Sequence, residues 1–196
     1  MKSKTDILSL TKERRTIRRY HDRPVPKNII NKIIEAGRWA PSAHNSQPWE
    51  IFVARGIKIK SKIIETLENP PPALLTSFRI LLKNTSSIIK SAPIIMLVFS
   101  NGNLSRKVKS FGEPYFSITH KSEIEGVSSA IENMLLTATS LRLGTAWLTM
   151  PLFVEKRIQK VIKSNYELVA ILTLGYAAEK SKKSSRKPIR YFAKYV

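Results

Sequence analysis

The purest apolar run in the chain, Ile94-Ile95-Met96-Leu97-Val98-Phe99, is only six residues long. A bilayer-spanning helix needs about 20 apolar residues, so this run reads as a buried strand. Glu167 to Gly175 repeats the pattern as a second, near-continuous apolar strand. Elsewhere the apolar residues recur at helical spacing. Ile29, Ile30, Ile33 and Ile34 form one stripe; Ile124, Val127, Ile131, Met134, Leu135, Ala138 and Leu141 form a longer one. Strands and helices alternate without the strict rhythm of a doubly wound sheet. The pattern therefore predicts an α+β fold with a small central sheet.

Punctuation residues place the other elements. Thr5-Asp6 suits the cap of a first helix carrying Ile7, Leu8 and Leu10. Arg14 to Tyr20 is expected to be extended. Pro24-Val25-Pro26 breaks the chain, with Pro26 opening a helix to about Gly37. A polar loop to Pro48 precedes a strand at Trp49 to Ala54. Helices follow over 57–67 and 74–90, separated by Asn69-Pro70-Pro71-Pro72. Residues 101–121 show no clear period, so a long loop is expected there, with Phe111, Tyr115 and Phe116 shaping a substrate pocket. Ser122-Glu123-Ile124-Glu125 has the form of a capping box opening the longest helix, which Gly144 would end. Ser128, Ser129 and Ala130 give that helix a small-residue face suited to a second copy. A short strand at 145–149 and a helix at 154–162 follow. Trp39 and Trp49 are both expected in the core. No repeat or linker divides the chain, so a single domain over 1–196 is expected, with a basic tail at 177–196.

Charge narrows the partners. Lys and Arg total 34 against 14 Asp and Glu, a net charge of +20. Both ends of the chain are basic, so nucleic acid, anionic membrane and phosphorylated small molecules all qualify as partners. There is no cysteine, which excludes disulfides, thiolate metal sites, iron–sulfur clusters and cysteine nucleophiles. No apolar segment follows the charged N-terminus, so no signal peptide is evident and a cytoplasmic location is expected. A Rossmann Gly-x-Gly-x-x-Gly, a Walker A loop and a Gly-x-Ser-x-Gly elbow are all missing. His21, His44 and His120 are too scattered to suggest zinc.

Two segments carry chemistry. In an extended Arg14-Arg15-Thr16-Ile17-Arg18-Arg19-Tyr20, alternate side chains share a face. Arg14, Thr16 and Arg18 then set two guanidinium forks around a hydroxyl, a cradle for a phosphate monoester. The same stripe could instead lie along a nucleic-acid backbone. The second segment, Pro41-Ser42-Ala43-His44-Asn45-Ser46-Gln47-Pro48, combines stiffening prolines, small side chains and two amides. Asn45 and Gln47 each donate and accept, which suits the edge of a heteroaromatic ring.

Together these two segments resemble the nitroreductase family of FMN-dependent oxidoreductases. The resemblance continues through Ser129 to Ala138, then Leu143-Gly144-Thr145-Ala146-Trp147-Leu148, and through Leu174-Gly175-Tyr176 and Arg186-Lys187-Pro188. It implies a three-layer α-β-α sandwich with a small mixed sheet and a long central helix. It also implies a homodimer with FMN at the interface and NADH or NADPH as reductant. By that resemblance Arg14, Arg15, Thr16 and Arg18 hold the phosphate and pyrimidine edge, and Arg186 returns to the phosphate. Pro41, Ser42, Ala43, Asn45 and Gln47 belong to the loop that approaches the flavin ring from the other subunit. Trp147, Leu148 and Thr149 pass flavin N5 through backbone groups. The acceptor is a nitroaromatic, a quinone or a similar small molecule. No catalytic side chain is required, and His44 reads as a solvent-facing loop residue. Two other readings stand beside this one: a basic nucleic-acid-binding module, and a flavin-binding protein of the same fold with a biosynthetic role.

Overall fold

A computed structural model describes residues 6–181 and 184–196. Four strands form its centre: β1 (Trp49–Ala54), β2 (Ile94–Ser100), β3 (Gly144–Leu148) and β4 (Glu167–Gly175), in the order β1-β2-β4-β3. All three strand pairs are antiparallel. Parallel pairing among the described residues comes from a bridge between Thr16 and Thr145. The mixed character expected of the sheet thus rests on the extended arginine segment, which lies along the β3 edge.

The strand sequences explain the layers. Along β2, Ile94, Met96 and Val98 face one core, while Ile95, Leu97 and Phe99 face the other. Both faces are covered, which is why the run is apolar at every position. On the first face pack α2 (Lys27–Arg38) and the long α6 (Tyr115–Ser140), with Ile30, Ile33, Val127, Ile131 and Met134 buried. On the second face pack α3 (Ile57–Glu68), α4 (Thr76–Ser91) and α7 (Glu155–Ile162), burying Ile63, Leu67, Leu82, Ile89 and Ile158. This is a three-layer α-β-α sandwich. The short α1 (Ile7–Glu13) buries none of its residues. Its cap is Asp6, whose carboxylate accepts from the N–H groups of Leu8 and Ser9; Thr5 lies outside the described residues.

The region at 101–121 departs from expectation. It is not a long loop: it holds α5 (Asn103–Val108), a short 3-10 turn and the first turns of α6. The proposed capping box is therefore internal to α6. Ser122 donates to Ile118 O one turn back, and Glu123 is fully buried. Its carboxylate accepts from Leu104 N at 2.8 Å and Ser105 N at 3.3 Å, so it caps α5 from a neighbouring helix. A cap supplied across 18 or 19 positions leaves no local sequence pattern.

Gly144 also serves a different end. The left-handed residue after α6 is Arg142, at φ 61°, and Leu143 N closes the turn onto Ala138 O. Gly144 instead opens β3 against Ile17, where a Cβ would stand 2.9 Å from three side-chain carbons. Glycine there lets the arginine segment lie close against the sheet edge. Trp49 packs half-buried on the first core, as expected. Trp39 does not: it follows the end of α2 and is 75% exposed. No described helix is long and apolar enough to cross a membrane.

Candidate phosphate-binding cleft

Three of the tethers on the segment from Thr16 to His21 come from β3, from the start of the tail and from Tyr20. Ile17 N donates to Thr145 O at 2.8 Å on β3. His21 N donates to Tyr176 O, and Ala178 N to Arg19 O, each at 2.9 Å, so the start of the tail is the second tether. The third is Tyr20, buried under the segment, whose hydroxyl lies 2.6 Å from both Ile17 O and Thr173 Oγ1. Burial pushes that phenol well above its ordinary pKa, so it stays neutral and keeps its proton for hydrogen bonding. With Ile17 and Tyr20 turned inward, the arginines are left facing out.

They face a cleft of about 420 Å³, lined by Arg14, Arg15, Thr16 and Arg18 from the segment, and by Glu179, Lys180, Ser181, Ser184 and Arg186 from the tail. Five expected residues thus meet in one place, including Arg186, which lies 168 positions from Arg18 in sequence. Five cationic side chains face one carboxylate there. The set fits a phosphate monoester: planar forks for charge-assisted bonds, with hydroxyls to complete the shell. Arg14 is braced from behind, its Nε 3.6 Å from Glu132 on α6. Glu179, Lys180, Ser181 and Ser184 were not among the expected site residues. Their signal was weak, because a polar tail carries no period from which a facing side can be read.

The loop expected to approach the flavin ring lies elsewhere. Ser42 sits on α6 at Gly126, where a Cβ would be 3.3 Å from Ser42 Cβ. His44, Asn45 and Gln47 all have positive φ, between 46° and 52°. Such strain in three non-glycine residues persists only where surrounding contacts hold it. Here Ser42 Oγ accepts from Gln47 N at 3.0 Å, and Gln47 Nε2 reaches Asn45 O and Oδ1. His44 is exposed, as expected. Pro41, Ser42, Ala43, Asn45 and Gln47 do not line the arginine cleft. The loop runs into β1, the far edge of the sheet. Four steps of about 4.8 Å separate that edge from the arginine segment, roughly 19 Å.

Trp147 and Leu148 end β3, Thr149 follows it, and all three stand outside the cleft. Leu148 is buried in the second core. Trp147 leans on the first core, and its buried Nε1 has no hydrogen-bond partner among the described residues; the same holds for Ser46 Oγ. Phe111 and Tyr115 are exposed, and Phe116 stacks on His120 with ring centroids 5.8 Å apart. None of the three lines the cleft. No group of three acidic or histidine side chains among the described residues could hold a metal.

Comparison with known proteins gives this geometry a family. The model of the Nitroreductase family matches residues 11–176. The chain belongs to the nitroreductase family. A Methanothermobacter thermautotrophicus protein with the provisional name NADH dehydrogenase/NAD(P)H nitroreductase is 32% identical over 183 residues, covering 90% of this chain and 80% of its own. An iodotyrosine deiodinase from Thermotoga neapolitana is 26% identical, with 93% of this chain and 95% of its own covered. Among solved structures, a Desulfovibrio desulfuricans protein provisionally described as a nitroreductase, crystallised with FMN, superposes with a TM-score of 0.76. Its identity is 24%, over 97% of this chain and 96% of its own. That likeness establishes the nitroreductase fold for the α-β-α sandwich described above.

Proposed function

We propose that this family member is an FMN-dependent NAD(P)H oxidoreductase acting on a nitroaromatic, a quinone or a similar small acceptor. The observation that carries the reading is the cleft where Arg14, Arg15, Thr16, Arg18 and Arg186 converge. FMN, when bound, supplies hydride transfer between a nicotinamide and the acceptor. The chain's own residues bind and orient. Arg14, Arg18 and Arg186 present forks to the phosphate dianion, and Thr16 adds a hydroxyl. The positive field of the cleft favours negative charge on whatever it holds. Pro41, Ser42, Ala43, Asn45 and Gln47 form the ring-facing surface, and Trp147, Leu148 and Thr149 border it through backbone groups.

A second copy of the chain completes the site in this reading. The ring-facing loop and the cleft lie on opposite sheet edges of one chain, so the loop of one copy meets the cleft of another. An apolar groove of about 300 Å³ supports such pairing; Ile7, Leu10, Trp39 and Leu136 are among its walls. Ile7 and Trp39 are 73% and 75% exposed there, and patches of that kind mark association surfaces. Ala130, by contrast, is fully buried, which leaves Ser128 and Ser129, both half-buried, as the small residues that face a partner.

The test is turnover. The purified chain, loaded with FMN and desalted, is given NADH or NADPH with a nitroaromatic, a quinone and iodotyrosine in turn. Acceptor-dependent nicotinamide oxidation supports the reading and names the branch. Retained flavin without turnover on any acceptor would favour the biosynthetic alternative. Failure to retain flavin would leave the net charge of +20 to be explained by nucleic acid.

A further inference from the structure

Glu179 is the one carboxylate among the described residues of the cleft. It is half-buried, and its Oε1 accepts from the backbone N–H of Arg18 at 2.6 Å. We propose that Glu179 is a positioning residue: it clips the tail to the arginine segment so that Arg186 stands opposite Arg14, Arg15 and Arg18 when a phosphate binds. The inference rests on the reading of this cleft as the phosphate half of an FMN site.

The hydrogen bonds around the segment show why a clip is needed. Backbone carbonyls take the N–H groups of Ile17 and His21. The N–H groups of Tyr20 and Arg18 are taken by side chains, Ser91 Oγ at 2.8 Å and Glu179 Oε1 at 2.6 Å. Ala178 is the last tail residue tied to the segment through its own backbone. Glu179 adds one further tie through its side chain, which frees the backbone to turn away from Lys180 onward. That turn brings Lys180, Ser181, Ser184 and Arg186 round the cleft. Beyond Glu179 no described tail residue hydrogen-bonds to the arginine segment, and among the described residues Arg186 bonds only to Ser184 Oγ and Ser185 O.

Charge supplies the second reason. Arg14, Arg15, Arg18, Lys180 and Arg186 crowd one cleft, and like charges this close repel. A single carboxylate at the junction of the two strands of chain offsets part of that repulsion. It leaves enough positive charge to attract a dianion. An ionised acceptor also bonds a backbone N–H more strongly than a neutral one.

The full chain is tested as wild type, Glu179→Ala and Glu179→Gln, each titrated with FMN and with riboflavin, which lacks the phosphate. The expected result is FMN affinity weakened about tenfold in Glu179→Ala, with riboflavin affinity changed by less than about twofold. Glu179→Gln keeps an acceptor oxygen for Arg18 N–H but not the charge, so it recovers part of the FMN affinity. If Glu179→Ala does not fold, Glu179→Met fills the same space without an acceptor and takes its place. Unchanged FMN affinity in Glu179→Ala, equal losses for both flavins, or Glu179→Gln as weak as Glu179→Ala each overturn the proposal. If the wild type binds no FMN, the same variants are melted with inorganic phosphate. A phosphate-dependent rise in Tm that Glu179→Ala abolishes then keeps the role of Glu179 while the FMN reading falls. No response to phosphate overturns both.

Discussion

At the scale of single residues, small groups decide whether the arginine segment reaches its place. Gly144 is the clearest case. Any side chain there meets Ile17 at 2.9 Å, and Ile17 is only 7% exposed, with little room to move. Gly144→Ala is expected to destabilise the fold by about 1–3 kcal/mol through overpacking, read as a lower denaturant midpoint. Glu167 tests electrostatics at the other end of β4. Partial burial holds its half-exposed carboxyl above the ordinary range; His120, 3.5 Å away, opposes this, and Glu155 and Glu123 add to it. A carboxylate whose pKa is raised on folding costs stability once it ionises, so the cost is absent in acid and grows as pH rises. Glu167→Gln should therefore melt higher than wild type at about pH 8, with the gain shrinking toward about pH 4. A constant difference across that range would contradict the assignment.

At the scale of elements, what could be read in advance depended on whether the cause was local. β2 was legible because each of its residues is apolar, and the two cores use alternate ones. The α2 stripe was legible because its period matches the face it buries. The cleft residues Arg14, Thr16 and Arg18 were legible as a group because alternation places them on one side of an extended chain. The onset of α6 was not, because Glu123 serves another helix and Ser122 bonds backward within its own. Trp39 misled for a related reason: its size argues for burial, yet its position after α2 puts it outside the core. Glu179 carried no motif, since its partner is a backbone N–H 161 positions away. The α5 cap gives a direct check. Glu123→Ala leaves Leu104 N and Ser105 N without their acceptor. It should cost about 1–3 kcal/mol and speed amide exchange across 103–108, while exchange in β2 changes only with global stability.

At the scale of the whole molecule, one chain presents two separate surfaces. A cationic cleft lies along the β3 edge, and a strained, amide-bearing loop leads into β1 at the other edge. Pairing two copies would join them and cover Trp39 and Ile7. Trp39→Glu is expected to shift sedimentation from dimer toward monomer and to lose flavin in parallel. A monomeric wild type that retains flavin fully would contradict that arrangement. The basic ends of the chain also find a common purpose in this reading, because the N-terminal arginines and the tail meet on one dianion rather than forming a diffuse stripe.

If the cleft recognises a phosphate ester, the wild-type chain distinguishes FMN from riboflavin, and the ratio of the two affinities decides the matter. Two or more charge-assisted hydrogen bonds at about 1.5–3 kcal/mol each predict FMN binding at least about 100-fold tighter, with the ratio falling as salt is raised. Equal affinity for the two flavins, or no binding of either beside strong salt-dependent binding of nucleic acid, would contradict it.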